Sequence, residues 1–169
     1  MIYSSSQSQP QAQAQIQSQA QAILPQGSES PSTIDALDLA YHQALYQVFS
    51  EHETISIRVG RSNPILDQLL QHHGHNQWAL ITAYNPYSRS LTAQANQWRN
   101  DRLAKDLWSL YLPVFRAVGQ DDAGQWPAEE SFFVIGLRQK EAIALGQKYD
   151  QNAILVGKRG HAPQLLWIR

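Results

Sequence analysis

Two short stretches constrain this chain more than any others. Trp78-Ala79-Leu80-Ile81 and Phe132-Phe133-Val134-Ile135 are apolar at every position. Side chains alternate across a strand, so a strand that is apolar throughout must be covered on both faces. A chain holding two such strands needs a sheet with helices or loops packed on each side. The expected fold class is therefore α/β in the α+β sense. It has a mixed sheet of about five strands, three to four packed helices and a C-terminal β-hairpin.

The rest of the pattern fills in this frame. Thr33 caps an expected helix over Ile34–Phe49, where Leu37, Tyr41, Leu45 and Phe49 keep four-residue spacing. Ile55, Ile57 and Val59 alternate with polar residues and read as a half-covered strand over 54–59. A short helix is expected over Ile65–Gln71 and a long one over roughly Thr92–Leu110. Strands are expected at Val114–Val118 and Ser131–Leu137, with a long loop over Gly119–Glu130 between them. A helix over Lys140–Lys148 precedes the terminal hairpin. Its strands, 153–156 and 164–168, flank the turn Lys158-Arg159-Gly160-His161.

Residues 1–32 are a different material. Glutamine takes every odd position from Gln7 to Gln21, and Glu29 is the only charged side chain. Such a segment buries too little apolar surface to offset a backbone ordering cost of roughly 1–2 kcal/mol per residue. It reads as a disordered tail, with chain-to-chain pairing as the alternative. The folded domain is expected over 33–169.

Charge and composition narrow the function. The formal net charge is -1, with no block of like charge, which gives duplex nucleic acid and anionic membranes no electrostatic footprint. The chain has no cysteine, so disulfides, thiolate metal sites and a cysteine nucleophile are excluded. Neither a signal-peptide pattern nor a run of about 20 apolar residues is present. The expected location is the cytoplasm. His72, His73 and His75 stand where a helix ends, which favours an electrostatic role over a metal site, and no metal or cofactor is expected. The oligomeric state is open.

The polar words around the central strands carry the functional reading. The strand at Trp78 runs into Thr82-Ala83-Tyr84-Asn85-Pro86-Tyr87-Ser88. In the following helix the stripe Leu103, Leu107, Leu110 becomes Arg99, Asn100 and Asn96 toward the N-terminus. Thr82, Asn85, Ser88, Asn96 and Asn100 can thus converge on one polar or anionic group near strand carboxyl ends and a helix N-terminus. Alternatively, Asn85 and Ser88 only shape a turn and Thr92 only caps. If Asn96 is a structural bridge, replacing it strands its former partners. If the amides serve a ligand they are paired by it or by water.

The second word is Trp126-Pro127-Ala128-Glu129-Glu130-Ser131. Alternation sends Glu129 and Glu130 to opposite faces, and Arg99 or Arg102 is an expected partner for the covered one. Glu130 is the candidate general base, although no catalytic residue is assigned. Trp126-Pro127 reads as a plug over the core.

These words resemble the bacterial domain-of-unknown-function family 3293. The resemblance rests on Thr82-Ala83-Tyr84-Asn85-Pro86, Ser88, Asn96, Asn100, then Trp126 to Phe132, then Gln151-Asn152-Ala153. It covers about residues 76–158. Ala128 stands where the family pattern carries Glu. The resemblance implies a compact α/β domain in which these words meet, and it supplies no reaction. The expected function is binding of a small polar or nucleotide-type ligand at the carboxyl ends of the central strands. The expected lining is Thr82, Asn85, Ser88, Asn96, Asn100, Glu130, Ser131 and Asn152. The alternatives are a hydrolase or transferase using Glu130 as base, and an interaction module docking a partner on the Tyr84–Tyr87 loop.

Overall fold

The structure, a computed structural model, describes residues 33–122 and 127–169. Contacts divide the chain into a unit ending at Ala36 and a second unit, Leu37–Arg169. The account that follows concerns the second. The expectations for residues 1–32 and for Trp126 lie outside the described residues.

The elements are α1 (Thr33–Gln43), β1 (Leu45–Phe49), β2 (Thr54–Ile57), α2 (Pro64–His72), β3 (Gln77–Ile81), α3 (Ala93–Trp108), β4 (Val114–Gln120), β5 (Glu129–Ile135), α4 (Gln139–Lys148), β6 (Ala153–Lys158) and β7 (Gln164–Trp167). A one-turn 3-10 helix, Pro86–Ser88, lies between β3 and α3. The sheet has seven strands in the order β2-β1-β4-β5-β3-β6-β7. Every pairing is antiparallel. The expected hairpin at β6 and β7 is present, but the sheet is larger than about five strands and is not mixed.

The extra strand traces to one segment. The four-residue spacing of Leu45 and Phe49 predicts that residues 45–49 continue the first helix. They form β1 instead. An even spacing fits a strand as well as a helix, and Leu-Tyr-Gln-Val-Phe is rich in strand formers. Tyr46 and Val48, not Leu45 and Phe49, are the buried pair. As β1 the segment bonds to β2 on one side and β4 on the other. It therefore carries β2 into the sheet.

Both faces of the sheet are covered, as the all-apolar strands require. On one face Val48, Ile57, Trp78, Leu80, Phe133 and Ile135 pack with Leu66 and Leu70 of α2. On the other, Ala79, Ile81, Val134 and Ile154 pack with Leu103 and Leu107 of α3 and Ala142 of α4. Local signals set the helix ends. Asn63 caps α2, its Oδ1 accepting from the N–H of Ile65 at 3.0 Å and of Leu66 at 3.3 Å. Thr92 caps α3 by accepting from Ala95 N–H at 3.2 Å. No helix among the described residues is long and apolar enough to cross a membrane.

Trp78 is the largest side chain in the first core, 2% exposed, and its indole lies across β6. Its register partner there is Gly157. A Cβ at that glycine would sit 2.5 Å from the indole. Gly157→Ala is expected to cost about 1–3 kcal/mol, the usual penalty for overpacking a core that cannot withdraw. Urea denaturation checks this: the midpoint should fall, and an unchanged midpoint would show that Trp78 can move aside.

Candidate functional site

Along one face of the sheet the side chains change character from end to end. On β5 the inward positions read Ile135, Phe133, Ser131 and Glu129. On β3 and just beyond it they read Trp78, Leu80 and Thr82. The period of two keeps each series on one face. So the face that packs on α2 at one end becomes polar at the other, and there α1 lies over it. Leu37, Ala40, Tyr41 and Ala44 of α1 and its exit line a cavity of about 470 Å³.

Because the sheet is antiparallel, this end is not a row of strand carboxyl ends. It joins the C-terminal ends of β3 and β4 to the N-terminal ends of β1, β5 and β6. The expectation of a site at strand carboxyl ends holds for β3 alone of the two central strands. The parallel-sheet rule behind it does not apply here.

Glu129 is the carboxylate that faces the cavity. Its pairing partner on β4 is Gly119, and Gly119 in turn pairs with Tyr46 on β1. The missing side chain at Gly119 leaves room for the Tyr46 ring, which lies 3.2 Å from where a Cβ would stand. Tyr46 and Glu129 are thus neighbours across a glycine. Asn85 Nδ2 donates to Glu129 Oε1 at 2.6 Å. Glu129 keeps some accessible surface because the cavity opens beside it, yet protein surrounds most of it. Burial pushes its carboxyl above the ordinary value, and the Asn85 hydrogen bond only partly opposes this. Tyr46 is pushed up as well, chiefly by burial, with Tyr41 and Glu129 adding to the effect.

Glu130 points the other way. Strand alternation sends it to the opposite face, where it meets Arg116 at 3.4 Å, with both side chains substantially exposed. The expected base therefore does not line the cavity, and its neighbour Glu129 does. β5 begins at Glu129, two residues earlier than expected, and alternation puts Glu129 on the same face as Ser131 and Phe133. Neither expected arginine pairs with this acidic word. Arg99 pairs with Asp150 at 3.1 Å and donates to Tyr149 O at 2.7 Å. Arg102 lies over the Trp98 ring at 4.9 Å.

The amides form a network, mainly with one another and with the loop. Asn85 N–H donates to Asn96 Oδ1 at 2.8 Å, and Asn96 Nδ2 donates back to Asn85 Oδ1 at 2.9 Å. Leu91 N–H donates a second bond to Asn85 Oδ1 at 3.0 Å. Asn100 is fully inside: its Oδ1 accepts from Ala83 N–H at 3.1 Å and its Nδ2 donates to Glu130 O at 3.2 Å. Thr82 Oγ1 donates to Glu130 O at 2.7 Å and accepts from Tyr84 N–H at 3.0 Å. Ser88 Oγ meets both Tyr41 OH and Asn152 Nδ2 at 2.9 Å. In this arrangement Asn96 is a structural bridge.

The network has a reason. Asn85, Tyr87 and Ser88 have φ of 43°, 52° and 57°. Left-handed backbone costs roughly 1–2 kcal/mol for a residue with a Cβ. Three such residues in four positions need several bonds to hold them. Tyr87 N–H to Asp150 O at 2.7 Å and Gln151 Nε2 to Tyr84 O at 3.0 Å supply two more.

Of the expected lining, Thr82, Asn85, Ser88, Asn96 and Ser131 border the cavity. Asn100, Asn152 and Glu130 do not. Tyr46, Glu129 and Gln151 border it without having been expected there. Gln151 belongs to a motif word but reads from sequence as a helix exit. The wider cavity also takes residues from α1 and β7, far apart in sequence, which no local word joins. The His72 and His73 rings meet edge-on at 5.2 Å, His73 also lies edge-on against Phe115 at 5.5 Å, and His75 lies against Gly136. Among the described residues no group of three His, Cys, Asp or Glu side chains is placed to hold a metal.

Residues 81–154 match the family model described as "Protein of unknown function (DUF3293)". The matched segment runs from the end of β3 to the start of β6 and includes the polar loop, the α3 amides and Glu129. No curated protein matches the chain, and no solved structure does.

Two variants test the amide network and the carboxyl. Asn96→Leu leaves Asn85 N–H without its acceptor and removes a donor from Asn85 Oδ1, at about 1–3 kcal/mol for each buried group stranded. The melting temperature should drop clearly, and a neutral result would mean that water replaces the amide. For Glu129, the folded carboxyl titrates above its unfolded value near 4.5. Its contribution to stability is then complete below that value and is lost as pH rises through the folded one. Glu129→Gln stays neutral throughout. Its melting temperature relative to the original protein should rise between about pH 4.5 and neutrality. A gap independent of pH would show that the folded carboxyl is not shifted.

Proposed function

We propose, from the geometry, that the chain binds a small molecule of mixed polarity in the cavity beneath α1; the family whose model matches residues 81–154 names no reaction. One observation carries the reading: a cavity of about 470 Å³ whose walls pass from apolar to polar along the same face of the sheet. Small-molecule sites typically fall between about 300 and 1,000 Å³, with apolar walls and a few polar groups that set orientation. Leu80, Leu155 and Leu165 offer the apolar side. Ser131, Glu129 and Gln151 offer hydrogen-bonding groups. The left-handed loop fits this reading, since stored strain gathers at functional sites.

The lining argues against a phosphorylated ligand. No Lys, Arg or His borders the cavity among the described residues. A nucleotide's phosphates would face Glu129 and Asp121 with no cationic side chain among the described residues bordering the cavity. A nucleoside or another ring without phosphate meets no such obstacle.

A second reading is enzymatic. A carboxyl held above its ordinary range beside a cavity is suited to proton transfer. In that reading the proton carrier is Glu129, and Glu130, paired with Arg116 on the other face, is set aside. The interaction-module reading has less support. Tyr84 borders the cavity, and the Arg169 guanidinium lies 4.8 Å over the Tyr87 ring.

Blocking the cavity tests the proposal. Ala40→Phe puts a ring into the space from the α1 side. A ligand-observed NMR screen of small neutral fragments should find binders to the original protein that the variant no longer takes. Binders indifferent to the variant would move the site elsewhere. An absence of binders would leave the cavity as a packing defect.

A further inference from the structure

Three arginines of the domain are engaged with other carboxylates. Arg116 meets Glu130 across the sheet, Arg58 holds Asp122 with two bonds of 2.7 Å, and Arg99 holds Asp150. Glu129 receives one hydrogen bond, from the neutral amide of Asn85, and no cation pairs with it among the described residues. An ionised carboxylate in such surroundings costs several kcal/mol unless something pairs with it. That pairing is absent from the protein's own described side chains. The cavity beside the carboxylate is therefore where a positive group would gain most.

The walls point the same way. The charged side chains bordering the cavity among the described residues, Glu129 and Asp121, are both acidic. Tyr41, Tyr46 and Tyr84 border it. Aromatic faces attract ammonium groups, more strongly where water is excluded. Tyr46 stands beside Glu129 because Gly119 between them has no side chain. A carboxylate next to a ring, at the polar end of an apolar space, suits an organic amine. Its nitrogen can meet the carboxylate while its carbon body fills the remainder.

We infer that the ligand of this cavity is a small organic amine whose protonated nitrogen docks on Glu129 beside Tyr46, with its apolar body against Leu80 and Leu155. The inference rests on the cavity being a ligand site. It adds the charge of the ligand and the residue that reads it. A charge-assisted bond is roughly twice as strong as a neutral one, so most of the selectivity comes from this single contact.

Three probes of similar shape separate the possibilities: 2-phenylethylamine, 2-phenylethanol and phenylacetate. Each is titrated by NMR into the full chain, into Glu129→Gln and into Ala40→Phe at neutral pH. The amine should bind the original protein at least about tenfold more tightly than the alcohol, and the acid most weakly. Glu129→Gln should remove the preference for the amine and leave alcohol binding in place, which also shows that the variant is folded. Equal affinity for amine and alcohol in the original protein would overturn the inference while the cavity reading stands. So would an amine preference that survives Glu129→Gln. Binding of none of the three would overturn both. The comparison in the original protein needs no variant, so the result does not depend on how the substitutions fold.

Discussion

The reciprocal bond between Asn85 and Asn96 is the constraint on which the polar end of this domain depends. It joins the loop leaving β3 to the first turns of α3 through both an N–H and a side-chain amide. Without it, three left-handed residues would have to hold their conformation against a cost of roughly 1–2 kcal/mol each. With it, Asn85 turns its remaining donor toward Glu129. One amide thus fixes the loop and orients the only carboxylate of the acidic pair that faces the cavity. The amides chiefly hold the site in shape, and the carboxylate supplies most of its chemistry.

The sheet explains why the site stands where it does. In an antiparallel sheet each end mixes strand starts and strand finishes, so a polar end must be made by the side chains themselves. Here β5 contributes Ser131 and Glu129 as its first inward positions, and β3 hands over to Thr82. Gly119 opens the space between them. α1 then closes the cavity from outside, tied to β7 by the bond from Trp167 Nε1 to Asp38 Oδ1 at 2.7 Å and by the Tyr41–Trp167 ring contact. The remaining face is occupied by α3 and α4. Asp106 is held there below its ordinary range by bonds from Lys148 and Tyr149, and the Tyr149 hydroxyl is pushed up to about 12. That pair fastens helix to helix and has no part in the cavity.

Much of this was legible in the sequence because it is local. The apolar runs at Trp78 and Phe132 require a covered sheet, and the structure covers both faces. The stripe in α3 that turns from leucine to asparagine is a matter of helical period, and Asn96 and Asn100 are buried as that period demands. The Gln151-Asn152 word, which only the family resemblance grouped with the loop, lies beside it. Other features were ambiguous for physical reasons. Leu45 to Phe49 fits two periods at once, and only pairing with β2 and β4 decides between them. Glu129 and Glu130 are equivalent in sequence until it is known which face of β5 borders the cavity, because alternation sends them to opposite faces.

The sequence by itself determined the covered sheet, the helices that flank it and the terminal hairpin. These follow from periodicity and residue chemistry within a dozen neighbours. Tertiary structure alone decided the antiparallel order of seven strands, the inward turn of Glu129 and the placing of α1 over it. Each of these is set by which distant strand bonds to which. Pairing register is a property of two segments together, so no single segment carries it. The cavity is the clearest case: Ala40, Tyr46, Glu129 and Leu165 share no local word, and only the folded sheet makes them neighbours.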